Sequence, residues 1–251
     1  MVKPKKSLGQ HFLIDKNITE KIALSLNKTD RVIEVGPGEG ALTDYYIKKE
    51  NTEFFAIETD REAYEFLLGK YPFQEDKFIL ADFLKLDVTT LFKEKFSIIG
   101  NFPYNISSQI FFKVIEDREL VDEVVCMIQK EVAERIASKE GNKTYGILSV
   151  LLQAYYDIEY LFTVHENVFN PPPKVKSGVI RVTRNNVKKL DCDEKKFKQI
   201  IKMSFNQRRK MLRVSLKPLL NDIDVTKHDV FTKRPEQLSV AQFVELTNII
   251  G

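Results

Sequence analysis

Cysteine is nearly absent: Cys126 and Cys192 are the only two in 251 residues, too few for a disulfide scaffold or a cysteine-rich zinc site. Three histidines, His11, His165 and His228, stand far apart in the chain and offer no ligand cluster, so no metal is expected. Long apolar runs are missing too. None approaches the roughly 20 residues that span a bilayer, which excludes an integral membrane protein and gives no reason to expect a membrane partner. The opening MVKPKKSLGQHFLIDKN is basic but lacks the apolar stretch of a secretory signal. Against these absences, a hydrophobic fraction of 43% suffices for a sizeable core and excludes wholesale disorder. At roughly 100–200 residues per domain, the length allows one large domain, alone or with a small appendage. A soluble, cytoplasmic globular protein is expected, and nothing suggests more than a monomer.

The net charge of +3 hides an asymmetry. From Arg184 to Gly251 there are 15 basic and 8 acidic side chains, a net +7, against 24 and 28, a net −4, in the 183 residues before. The excess concentrates at Asn206-Gln207-Arg208-Arg209-Lys210-Met211-Leu212-Arg213. Such a run is either a solvated helix face or a polyanion contact, where each phosphate neutralised releases counterions. Lys3, Lys5 and Lys6 form a second basic cluster. Charge alone does not separate DNA from RNA.

Short apolar runs alternate with amphipathic stretches. Residues 31–35, 53–57, 77–80, 96–99 and 124–128 read as strands, with helices over 41–49 and 62–68. Strands at helix-length intervals argue for βαβ units and a mostly parallel sheet. Residues 146–156 are apolar enough for a buried helix, and 159–164 with 178–183 read as a closing pair of strands bridged by Asn170-Pro171-Pro172-Pro173. The texture changes after Arg184. Apolar residues from Phe197 to Leu219 recur at helical spacing, and Ser239 is placed to cap a last amphipathic helix. A boundary is expected near 184–192, giving domains over 1–187 and 188–251.

Glu34-Val35-Gly36-Pro37-Gly38-Glu39-Gly40 lies between an expected strand and an expected helix. Glycines there let the chain turn sharply and let a ligand approach the main chain. The dinucleotide fingerprint wants its third glycine one position later, so E-x-G-x-G-x-G fits the loop of adenosylmethionine-dependent methyltransferases better. Glu58, ending the second strand, can accept from both hydroxyls of a ribose. Asp82, ending the third, can accept from an adenine amine. The alternative is a plain loop with incidental carboxylates, but acidic residues at successive strand ends favour a nucleoside, since ligands of such sheets bind beyond the carboxyl ends of the strands.

Gly100-Asn101-Phe102-Pro103-Tyr104-Asn105 follows the fourth strand, at the same sheet edge. The exocyclic amine of adenine is a poor nucleophile because its lone pair is delocalised into the ring. Acceptors aimed at its two hydrogens favour the pyramidal geometry needed to attack a sulfonium methyl. The Asn101 side-chain oxygen and the Phe102 carbonyl can supply them, Pro103 holds Phe102 extended, and Tyr104 can stack on the base. This is positioning by hydrogen bonds, with no strong general base. Read alone, the motif is better taken as an ordinary proline turn with a buried tyrosine; its place after the fourth strand of this sheet favours the site.

With these motifs in this order, the chain resembles the KsgA/RsmA family of ribosomal RNA adenine dimethyltransferases, relatives of the Erm resistance enzymes. Lys6-Ser7-Leu8-Gly9-Gln10-His11-Phe12-Leu13 resembles the family's opening segment, and Phe169-Asn170-Pro171-Pro172-Pro173-Lys174-Val175-Lys176-Ser177 its late F-x-P-x-P-x-V-x-S element. The resemblance implies a Rossmann-like class I methyltransferase fold, α/β with a mostly parallel seven-stranded sheet, plus a small all-α C-terminal domain. It implies S-adenosyl-L-methionine as methyl donor, contacted by His11, Leu13, Gly36, Gly38, Glu58, Asp82 and Asn101. It implies catalysis through Asn101, Phe102, Pro103 and Tyr104, with the target adenine sandwiched between Tyr104 and Phe169. Arg208, Arg209, Lys210 and Arg213, in a segment resembling the family's basic helix, would bind RNA. Phe102 departs from the commoner Leu or Ile, and only its carbonyl is implicated. Beyond Lys217 little resembles the family, and the helical reading rests on pattern alone.

The Phe205-to-Arg213 run resembles the housekeeping branch more than Erm. The expected substrate is therefore the small ribosomal subunit, at two adjacent adenines of the 3′-terminal stem-loop of its rRNA, each extruded into the pocket. The competing readings are an Erm-type methyltransferase of 23S rRNA, a non-catalytic RNA-binding assembly or transcription factor, and an adenine-N6 DNA methyltransferase. The intact Asn101-to-Tyr104 motif speaks against the second, and the opening and late proline-rich segments against the third.

Overall fold

Apolar runs with no polar interruption, such as Val124-Val125-Cys126-Met127-Ile128, suit strands covered on both faces, and that is where they lie. The computed structural model describes residues 2–5, 8–220 and 223–251. Lys6 and Ser7 of the opening segment lie outside the described residues. The strands are β1 (Phe12–Leu13), β2 (Arg31–Val35), β3 (Glu53–Glu58), β4 (Phe78–Leu80), β5 (Phe96–Asn101), β6 (Val121–Gln129), β7 (Tyr156–Val164), β8 (Phe169–Asn170) and β9 (Ser177–Arg184). The helices are α1 (Lys16–Leu24), α2 (Thr43–Tyr46), α3 (Arg61–Lys70), α4 (Ser107–Glu116), α5 (Lys130–Ala137), α6 (Ile147–Gln153), α7 (Glu194–Asn206), α8 (Leu212–Ser215) and α9 (Val240–Ile250).

Seven strands form one sheet in the order β4-β3-β2-β5-β6-β9-β7. The pairs from β4 to β6 are parallel, and β9 runs antiparallel to β6. The chain moves outward from β2 through β3 to β4, then returns to lay β5 on the other side of β2. That reversal is the crevice where open α/β sheets bind ligands. Parallel register Ile33↔Ile98 and Glu34↔Ile99 sets the segments after β2 and β5 side by side there.

The residues cluster into two compact units, 1–133 with 158–184, and 134–157 with 185–251. Residues 134–157 thus group with the C-terminal segment although they precede the expected boundary. The second unit is helical: Asp193 caps α7 by accepting from the amides of Lys195 and Lys196, and Ser239 caps α9 through Gln242. Half-buried Phe205 packs between the buried rings of Tyr145 and Phe243.

Several local expectations change. The helix over 41–49 contracts to α2, and the buried helix over 146–156 ends at Gln153 because Tyr156 opens β7. The basic run is not a helix face. Helix α7 stops at Asn206, residues 207–209 form a turn, and Arg213 lies on α8.

Candidate active site

Each candidate side chain reaches the crevice from a strand end. Gly36 and Gly38 follow β2, Glu58 ends β3, Asp82 follows β4, and Asn101 ends β5. Together with His11 and Leu13 they line one cavity of about 370 Å³, within the range of roughly 300–1,000 Å³ that small-molecule sites occupy. Phe102, Pro103 and Tyr104 line it as well.

Gly38 has φ +56°, and a Cβ there would stand 2.8 Å from the Phe12 ring. Glycine therefore meets both the left-handed backbone and the close approach of the opening segment. The Glu58 carboxylate is 4% exposed. It accepts from the amides of Gly38 (3.1 Å), Thr59 (2.9 Å) and Asp60 (2.8 Å). Burial raises its pKa, and the three amides pull the other way. With about four lone-pair sites on a carboxylate, it keeps capacity for a further donor such as a ribose hydroxyl. Glu34 is buried beneath the loop, accepts from Thr43 Oγ1 (2.6 Å), and burial pushes its pKa up to about 8.

The Asn101 amide nitrogen donates to the His11 carbonyl at 2.9 Å. A carbonyl can only accept, so the orientation of the amide is fixed by chemistry. Among the described residues nothing donates to Asn101 Oδ1 or to the Phe102 carbonyl, while the Phe102 amide donates to Met127 O (3.0 Å). Two acceptors are therefore free at the end of β5. The Phe102 ring is 1% exposed and packs on Phe111. A Cβ on Gly100 would stand 2.9 Å from that ring and 2.6 Å from Val35 O, so the missing Cβ gives the larger ring its room.

The Tyr104 hydroxyl lies 2.7 Å from Ser177 Oγ. Burial raises its pKa and the Ser177 contact opposes the rise. Phe169, expected on the other face of the base, is largely enclosed. It is 3% exposed, belongs to the main core, and pairs across β1 and β8 with Leu13. The β1–β8 pairing draws it into the core, and the cavity is lined without it.

Some site residues carry no motif. Asp60 caps α3 and accepts from Lys5 Nζ and from Gln10 Nε2 (3.0 Å), tying the opening segment beside Glu58. Burial raises its pKa, but those bonds outweigh burial and hold it below the usual carboxylate range. Its one sequence signal is an Asp ahead of Arg61-Glu62, a helix start. Ser177 has none beyond its place in the late element. In the basic run, Arg209, Lys210 and Arg213 are exposed. Arg208 instead reaches Glu236 (3.9 Å) and donates to Asn142 O (3.4 Å).

The family model for ribosomal RNA adenine dimethylase matches residues 1–250. The chain belongs to that family. Membership extends past Lys217, where periodicity alone points to helices. The chain is thus an adenine dimethylase of ribosomal RNA, an S-adenosylmethionine-dependent methyltransferase by family. It is 56% identical to a Bacteroides thetaiotaomicron protein named ribosomal RNA small subunit methyltransferase A, over 99% of this chain and 94% of the relative. A Cytophaga hutchinsonii protein of the same name is 54% identical over 100% and 98%. Among solved structures, a Plasmodium falciparum dimethyladenosine transferase aligns with TM-score 0.76 at 22% identity, covering 94% of this chain and 96% of that one. The 23S rRNA methyltransferase ErmE aligns with TM-score 0.67 at 24% identity, covering 94% and 99%. These two support the Rossmann-like fold expected from the sequence.

Proposed function

We propose that this dimethylase acts on the N6 amines of two adjacent adenines in the 3′-terminal stem-loop of small-subunit rRNA, in small-subunit biogenesis. The observation that carries the chemistry is the pair of free acceptors, Asn101 Oδ1 and Phe102 O, at the switch point of the sheet. S-adenosylmethionine, when bound, supplies an electrophilic methyl group. The cavity suits such a ligand: its floor at Gly38 has no Cβ, and Glu58 retains acceptor capacity for ribose hydroxyls. Asp82 at the next strand end would receive an adenine amine.

The chain's own contribution is orientation. Asn101 and Phe102 accept from the hydrogens of the target amine and turn its lone pair out of the ring plane, and Tyr104 holds the base by stacking. Exposed Arg209, Lys210 and Arg213 would grip RNA phosphates. The 56% relative, named for the small subunit, favours that substrate over 23S rRNA. The test is transfer of labelled methyl from adenosylmethionine to immature small subunits, with mass spectrometry of the product. N6,N6-dimethyladenine at adjacent positions of small-subunit rRNA is expected, and label confined to large-subunit RNA would overturn the assignment.

A further inference from the structure

His11 joins three parts of the site that are remote in sequence. Its ring Nδ1 lies 2.8 Å from Pro171 O, its main-chain carbonyl accepts from Asn101, and its ring sits 5.6 Å from the Tyr104 ring at 31°. The resemblance gives His11 a contact to the methyl donor. The hydrogen bonds point elsewhere, to the pocket for the methyl acceptor.

We propose that His11 is a positioning residue for the target-base pocket: its Nδ1–H bond to Pro171 O holds the main chain whose carbonyl orients the Asn101 amide. The inference deepens the proposed function and rests on Asn101 facing the target amine.

Pro171 O can only accept, so Nδ1 carries the hydrogen in this contact. His11 directly precedes β1, whose Phe12 and Leu13 pair with Asn170 and Phe169. The ring bond extends that short ladder and anchors the segment on its far side. Without it, the His11 carbonyl is free to drift. The Asn101 amide then lacks the partner that distinguishes its two ends, and a flipped amide offers the target amine a donor where an acceptor is needed. A shift of about 1 Å in such a group can cost on the order of 100-fold in rate.

The geometry dictates which substitution restores function. The Nδ2 of asparagine occupies the place of histidine Nδ1, whereas the glutamine amide reaches the place of Nε2. His11→Ala, assayed on the full chain at saturating adenosylmethionine, is expected to lower kcat by about 10- to 100-fold. His11→Asn recovers most of the loss and His11→Gln does not. Loss of donor affinity with kcat intact at saturation, or rescue by Gln rather than Asn, would overturn the proposal. A second readout needs no activity: long-range 1H–15N spectra of the imidazole are expected to show Nδ1 protonated in the free protein. A ring protonated at Nε2 alone would sink the proposal. A wild-type protein that methylates no small-subunit RNA yet shows the Nδ1–H tautomer would instead sink the assigned substrate.

Discussion

The hydroxyls of Tyr104 and Ser177 lie 2.7 Å apart, one in the loop after β5 and the other at the start of β9. The contact pins the far end of the ring that we assign to the target base. Tyr104→Phe keeps the stacking face and removes the bond, so it should cost about 1 kcal/mol of stability and leave substantial transfer. Tyr104→Ala also removes stacking worth roughly 1–3 kcal/mol per base, and its loss should appear chiefly in KM for RNA. Equal kinetic losses in the two variants would argue against stacking.

Asn101→Ala should abolish detectable transfer while adenosylmethionine binding survives at least in part. Removing one such hydrogen-bonding group costs on the order of 100- to 1,000-fold. Asn101→Asp is the sharper variant, because it retains an oxygen but cannot donate to the His11 carbonyl and sets like dipoles face to face. It should lose transfer and melt earlier than wild type in a thermal scan. Turnover by either variant at the wild-type rate would refute the assigned role.

Glu34 gives the fold a pH dependence of known sign. Burial raises its pKa to about 8 from the ordinary 4.5. Between those values the unfolded chain has released a proton that the folded chain keeps, so stability falls as pH rises through that window. Glu34→Gln imitates the protonated side chain and should remove this contribution. The variant should hold its melting temperature between pH 5 and pH 8 better than wild type. Parallel profiles would show that Glu34 ionises normally.

The basic turn separates into two roles. Neutralising Arg209, Lys210 and Arg213 together should weaken RNA binding and flatten its salt dependence by about 0.7 for each phosphate no longer neutralised. Arg208 is engaged with Glu236 and Asn142, so Arg208→Ala should change the melting temperature more than the salt slope. A slope unmoved by the triple variant would reduce the run to a solvated surface.

The sheet is legible in the chain because parallel strands covered on both faces read as uninterrupted apolar runs, and because ligand loops follow their carboxyl ends in a fixed order. Gly36, Glu58, Asp82 and Asn101 can be placed at one edge on that basis. Helices α1, α4 and α5 escape such a reading, and the basic run reads as helix although the chain turns after Asn206. Local pattern carries no record of where a neighbouring element ends.

What the sequence determined by itself is the inventory of groups and the sheet edge that presents them, since both follow from local order along the chain. Tertiary structure alone decided which way the Asn101 amide faces, that Phe169 packs into the core, and that Asp60 ties down the opening segment. Those outcomes depend on contacts between residues 50 to 160 positions apart. Hydrogen-bond polarity and burial at such distances exist only once the chain has closed on itself.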